Sequence, residues 1–107
     1  MSFNMQKLMK QAQKMQADMA RAQDELKEMS VEGASGGGMV KVTVNGKGEP
    51  LSIKIDQQVV DPEDVEMLED MILAAFLDAL RLATDLSNEK IQKITGGIPG
   101  GLPGGLF

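Results

Sequence analysis

The chain has 107 residues, 42% of them apolar and only three aromatic (Phe3, Phe76 and Phe107), so one small domain is expected, its core drawn from Leu, Ile, Val, Ala and nine methionines. With no cysteine and no histidine, disulfides, thiolate or imidazole catalysis and zinc sites built from those ligands are excluded. The net charge of −5 opposes a nucleic-acid partner unless the charges are sorted along the chain.

A long first helix is predicted from Phe3 to Met29. Its apolar positions, Met5, Leu8, Ala12, Met15, Met19, Ala22, Leu26 and Met29, alternate in steps of three and four, which is a sustained heptad seam. Such a narrow stripe needs a partner helix, in the same chain or in a second copy. On the opposite face the same register places Lys7, Lys14 and Arg21 in one row with Lys10 beside it. Residues 1–21 carry four cations against one anion, Asp18, a net +3. From Asp24 to Glu32 the sign reverses, with Asp24, Glu25, Glu28 and Glu32 against Lys27. The row from Lys7 to Arg21 runs about 21 Å at ~1.5 Å per residue, enough to follow successive DNA phosphates.

Gly33 to Gly38 is read as the segment that ends this helix. It is no phosphate-binding loop, because it lacks the Gly-Lys-Ser/Thr ending and does not follow a strand. Met39 to Val44 then alternates with Val40, Val42 and Val44 on one face. Asn45-Gly46-Lys47-Gly48 is a hairpin turn, and Leu51, Ile53 and Ile55 alternate toward the core of the returning strand. Gln57 to Val60 offers a short third strand. A lone hairpin is barely stable in water, so it must pack on a helix or pair with another sheet.

Asp61 as N-cap, Pro62 at the first helical position, and Glu63 and Asp64 in the first turn open a second long helix. Val65, Leu68, Ile72, Ala75, Phe76, Ala79, Ala83 and Leu86 follow helical spacing. Met71 to Leu77 is apolar all round, which implies burial on more than one side and therefore a second copy of the chain. Ser87 either caps a final short helix carrying Ile91 and Ile94 or marks a kink. The acids Asp61, Glu63, Asp64, Glu66, Glu69 and Asp70 are explained by capping and a solvated face rather than by a bound cation. Arg81, Lys90 and Lys93 form a second, weaker cationic group where cations also suit the helix dipole. Lys41 and Lys54 fall on the polar face of the hairpin. Residues 1–95 are read as a single domain and residues 96–107, three Gly-Gly-apolar units separated by Pro99 and Pro103, as a tail.

No serine or threonine has a base to activate it, so no enzyme, cofactor or small-molecule substrate is expected. The first residues lack the apolar core of a secretory signal, and the apolar run from Met71 to Leu77 is far shorter than the ~20 residues of a membrane span. A soluble cytoplasmic protein without a membrane partner is expected.

The order of three blocks is specific: Asn4-Met5-Gln6-Lys7-Leu8-Met9-Lys10-Gln11-Ala12-Gln13; Gly37-Gly38-Met39-Val40-Lys41-Val42-Thr43-Val44-Asn45-Gly46-Lys47-Gly48; and Val60-Asp61-Pro62-Glu63-Asp64-Val65-Glu66-Met67-Leu68-Glu69-Asp70. With Ile53-Lys54-Ile55-Asp56 between them and the Gly/Pro end, the chain resembles the YbaB/EbfC family over essentially its whole length. The resemblance implies an α+β homodimer shaped like tweezers, with protruding helices and a central sheet completed between subunits. It also implies binding to double-stranded DNA that alters DNA conformation, in the bacterial nucleoid. On this resemblance the candidate DNA contacts are Lys7, Lys10, Lys14 and Arg21, with Lys90 and Lys93 as second choices. Four cations per chain give at most about eight phosphate contacts per dimer and a log–log salt slope of up to roughly −7. The alternative is a coiled-coil adapter that binds proteins and not DNA.

Overall fold

The computed structural model describes residues 4–96. Its elements are helix α1 (Met5–Glu28), strands β1 (Ser30–Ser35), β2 (Val40–Asn45) and β3 (Pro50–Ile55), and helix α2 (Val65–Thr95). The strands form one antiparallel sheet in the order β1-β2-β3. This is the expected α+β class, with three differences in the elements themselves.

The first difference is the third strand, which comes before the hairpin and not after it. Residues Gln57–Val59, read as a strand from Gln57 to Val60, form a short 3-10 turn capped by the Asp56 side chain, which accepts from the Gln58 N–H at 2.8 Å. The helix read through Met29 ends at Glu28, and Ser30–Ser35 pairs along β2 from Ser30 opposite Asn45 to Ser35 opposite Val40. Gly33 thus lies inside a strand. A turn at Gly36–Gly38, with all three glycines at positive φ, then reverses the chain.

The second difference is at the start of α2. Asp64, not Asp61, is the N-cap, accepting from the Met67 N–H at 3.2 Å. Asp61 instead closes the preceding turn around Pro62, accepting from the Glu63 N–H at 2.9 Å. The third is at Ser87, where neither a new cap nor a break occurs: α2 runs unbroken to Thr95. Nothing after Leu86 forbids helix until the glycines at 96 and beyond, and Ile91 and Ile94 keep one side of the helix half-buried.

The core is a valine–alanine interface. Val40, Val42 and Val44 are fully buried against Ala75, Ala79 and Ala83 of α2, with Val31, Leu68, Met71, Ile72 and Phe76 around them. The small residues of α2 let β1 come down onto the helix backbone. A Cβ at Gly33 would lie 2.2 Å from the Ala79 nitrogen and 2.4 Å from the Ala75 carbonyl oxygen. Two further bonds pin β1 to α2: the Ser35 hydroxyl donates to the Met71 carbonyl (2.6 Å), and the Ala34 N–H donates to Asp78 Oδ2 (3.1 Å).

Helix α2 packs across β1 and β2 and leaves β3 beyond its edge. Ile53 and Ile55 pair with Val42 and Val40 and so share the core-side face. The expectation that Leu51, Ile53 and Ile55 enter the core is therefore wrong within one chain: they are 58%, 50% and 38% exposed, because no helix lies over them.

The hairpin turn anchors the end of α1. Asn45 is buried and satisfied, its Oδ1 accepting from the Lys47 and Glu49 N–H groups and its Nδ2 donating to Glu49. The Gly46 N–H donates to the Leu26 carbonyl at 2.8 Å and the Met29 carbonyl at 3.0 Å, closing orphan acceptors at the helix terminus.

Candidate nucleic-acid interface

Helix α1 is covered only along its second half. Ala22 and Leu26 are buried, Met15 and Met19 are half-buried, and every residue from Met5 to Lys14 is exposed. The two helices are antiparallel there: Lys90 of α2 pairs with Glu25, and Lys14, Lys93 and Ile94 line one groove of about 420 Å³ between them. The seam read from the sequence thus finds α2 of its own chain at one end and, among the described residues, no partner at the other. The first turns of α1 form an arm.

Lys7, Lys10 and Lys14 are all on this arm. Asn4 caps it, accepting from the Lys7 N–H at 3.1 Å, and α1 contains no acid before Asp18. Among the described residues these three lysines make no ion pair. Lysines in the first turns oppose the helix dipole by a few tenths of a kcal/mol when exposed, so this placement does not serve the stability of the helix.

The other candidates differ. Arg21 is exposed but occupied: one guanidinium nitrogen lies 2.8 Å from Asp18 and another 3.8 Å from Glu25. Lys90 is paired with Glu25 across the helices. The hydrogen bond and charge of Lys90 hold the Glu25 carboxyl below its ordinary range; partial burial opposes this and Arg21 adds to it. Lys93 stands exposed on the rim of the same groove. Arg81 is held between Asp78 at 2.9 Å and Asp85 at 3.6 Å, and Lys41 lies 3.9 Å from Glu32. The structure therefore groups Lys7, Lys10 and Lys14 as unpaired charge and separates them from Arg21 and Lys90, whose charge is locally balanced. Spacing placed all six residues, but only the tertiary fold brings Glu25 to Lys90.

The far end of the molecule is acidic. Asp56, Asp61, Glu63, Asp64, Glu66, Glu69 and Asp70 occur within one stretch without a single cation, and three of them are the turn and helix caps described above.

Asp78 is a structural acid that no sequence motif marks. The Ala34 N–H first, and the Arg81 guanidinium second, hold its carboxyl below the ordinary value of 3.8. The stabilising contribution is complete above that ordinary value and is lost as pH falls through the depressed one. In acid unfolding followed by circular dichroism, Asp78→Asn is expected to flatten the fall in stability below about pH 4 and to lower stability at neutral pH. An unchanged acid limb would show that β1 is not held by this carboxylate.

A sequence profile of the YbaB/EbfC DNA-binding family matches residues 1–98. A nucleoid-associated protein of Pelotomaculum thermopropionicum is 53% identical over 98 residues, covering 92% of this chain and 93% of the relative. Another, from Exiguobacterium, is 56% identical over 95 residues, covering 89% of this chain and 90% of its own length. The crystal structure of an uncharacterized protein from Helicobacter pylori shares the fold, with a TM-score of 0.71 at 24% identity over 82% of this chain and 92% of that one. Sequence profile, relatives and fold agree, and the chain belongs to the YbaB/EbfC DNA-binding family, a family of DNA-binding proteins and not of enzymes.

Proposed function

We propose that this protein binds double-stranded DNA as a homodimer in the nucleoid, gripping phosphates with the arm of α1 in each subunit and altering the path of the duplex. The observation that carries this reading is the unpaired row of Lys7, Lys10 and Lys14 on an arm exposed on all sides. Lys93 is a secondary contact at the base of the arm. Arg21 and Lys90 serve mainly to fix α1 against α2, because removing either from its carboxylates to meet a phosphate costs an existing pair. The acidic end is repelled by DNA and orients the molecule arm-first. Two arms held at a fixed separation engage the duplex at two places, and a rigid pair favours DNA bent to match them.

Dimerisation has its own support. Strand β3 is a free sheet edge bearing Leu51, Ile53 and Ile55, and on α2 Leu73 and Leu77 are 58% and 57% exposed. In a domain this small, exposed apolar side chains on both a sheet edge and a helix mark a surface to be covered, and a second copy covers both. Ile53→Asp is expected to convert the dimer to a folded monomer in sedimentation equilibrium. A dimer that survives the substitution would place the interface elsewhere.

The test of DNA binding is a mobility-shift titration over a range of salt concentrations. Three unpaired arm lysines per chain predict about six phosphate contacts per dimer, hence a log–log slope of about −5 rather than the −7 that counting Arg21 would give. Arg21→Ala should leave the slope nearly unchanged. A salt-independent shift, or none at low salt, would refute the phosphate grip.

A further inference from the structure

The arm lysines have a counterpart at the far end of the same molecule. A groove of about 490 Å³ opens beside Gly36, where β1 ends against the first turns of α2. Its floor is apolar, made by Met67, Met71 and Ala74, and its rim is acidic, made by Asp64, Glu66 and Asp70. Met67 is 41% exposed, and among the described residues none of the three acids makes an ion pair. The sheet order puts this groove on the β1 side, away from the β3 edge that carries Leu51, Ile53 and Ile55.

An apolar floor rimmed by carboxylates suits one kind of side chain. Lysine lays its methylene stem on apolar surface and carries its ammonium to a polar rim. The arm offers Lys7, Lys10 and Lys14 within ~10 Å of helix, and Asp64 to Asp70 spans ~9 Å. No arm reaches the groove of its own chain: Glu66 and Lys93 are separated by ~40 Å of α2, and Lys93 lies beside Lys14. The same separation decides which charges matter. The net charge of −5 makes two copies repel as wholes, but the Debye length is only ~10 Å at 0.1 M salt, so arm and groove act as separate poles.

We propose that this groove seats the arm of a second copy, with lysine stems on Met67 and Met71 and ammonium groups on Asp64, Glu66 and Asp70. The two surfaces are different and lie at opposite ends of the chain, so the contact is head-to-tail and can repeat from copy to copy. It leaves the β3 edge untouched and therefore joins dimers rather than forming them. The inference does not depend on DNA binding, although groove and duplex would compete for the same lysines.

Sedimentation equilibrium of the full chain without DNA tests the contact. The weight-average mass is expected to be at least ~2-fold higher at ~0.05 M than at ~0.5 M salt, because screening weakens exposed pairs. Lys7→Glu with Lys10→Glu, and separately Glu66→Lys with Asp70→Lys, should each hold the mass at its high-salt value. An equimolar mixture of the two variants should regain the low-salt mass, since each supplies the complement of the other. Wild-type mass independent of salt, association that survives the groove substitutions, or no association in a mixture of variants shown to be folded by circular dichroism would each overturn the proposal. Carbodiimide coupling reads the same contact without substitution. In a mixture of isotope-labelled and unlabelled wild-type chains, amide links from the arm lysines to Glu66 or Asp70 should join labelled to unlabelled chains, and their absence would equally overturn it.

Discussion

Replacement of Lys7, Lys10 and Lys14 together by glutamate is expected to abolish the mobility shift of a DNA duplex at every salt concentration above the lowest. The substitutions turn the arm from net positive to net negative, so each of about six phosphate contacts per dimer becomes a repulsion. A wild-type protein with that many contacts loses roughly three orders of magnitude in affinity between 50 and 200 mM salt, and the variant should begin below the range in which a shift is visible. The fold should be untouched, because all three side chains are exposed and unpaired. Surface substitutions of this kind usually change stability by no more than about 0.5 kcal/mol. The sign is itself informative: acids in the first turns favour the helix dipole, so the variant should be slightly more stable in urea while failing to bind. Loss of binding with a lower urea midpoint would point to a damaged fold, and retained binding would remove the arm from the interface and favour the protein-adapter reading.

Gly33→Ala is the second substitution with a large expected effect, here on stability. The added Cβ would meet the backbone of α2 at Ala79 and Ala75, not the end of a flexible side chain, so β1 and the helix must separate. Overpacking commonly costs about 1–3 kcal/mol, and with rigid backbone on the receiving side a value at the upper end is expected. That separation also strains the bonds from Ser35 to Met71 and from Ala34 to Asp78 that flank the contact. A urea midpoint shifted by less than ~0.5 kcal/mol equivalent would show that the sheet can lift from the helix at little cost. The same contact explains why α2 carries alanines at 75, 79 and 83: each larger side chain would hold the valines of β2 farther from the helix axis.

These two substitutions probe different halves of the molecule, one written along the chain and one made by packing. The heptad of α1, the alternation of Val40, Val42 and Val44, the Asn45-Gly46 turn and the helical spacing of α2 are local periodicities, and each appears where the residues placed it. So does the sorting of charge, with cations before Asp18 and acids after Arg21, because it depends only on position in one helix. Strand β1 was hidden for a reason visible at Gly33. A strand pressed onto helix backbone has no room for the β-branched residues that announce strands, so Ser30–Ser35 holds one large apolar residue, Val31, and reads as a loop. Asp61 and Asp64 are both good caps, and the choice between them is made by the turn around Pro62, not by residue type. The fate of Leu51, Ile53 and Ile55 was equally undecidable, since alternation says that a face is apolar but not whether a helix reaches it. Likewise, no spacing rule links Glu25 to Lys90 across the chain; their pairing exists only because the two helices run antiparallel. Local pattern fixed the elements and their charge; the distances between elements, which sequence periodicity does not encode, decided what is covered and what is left to bind.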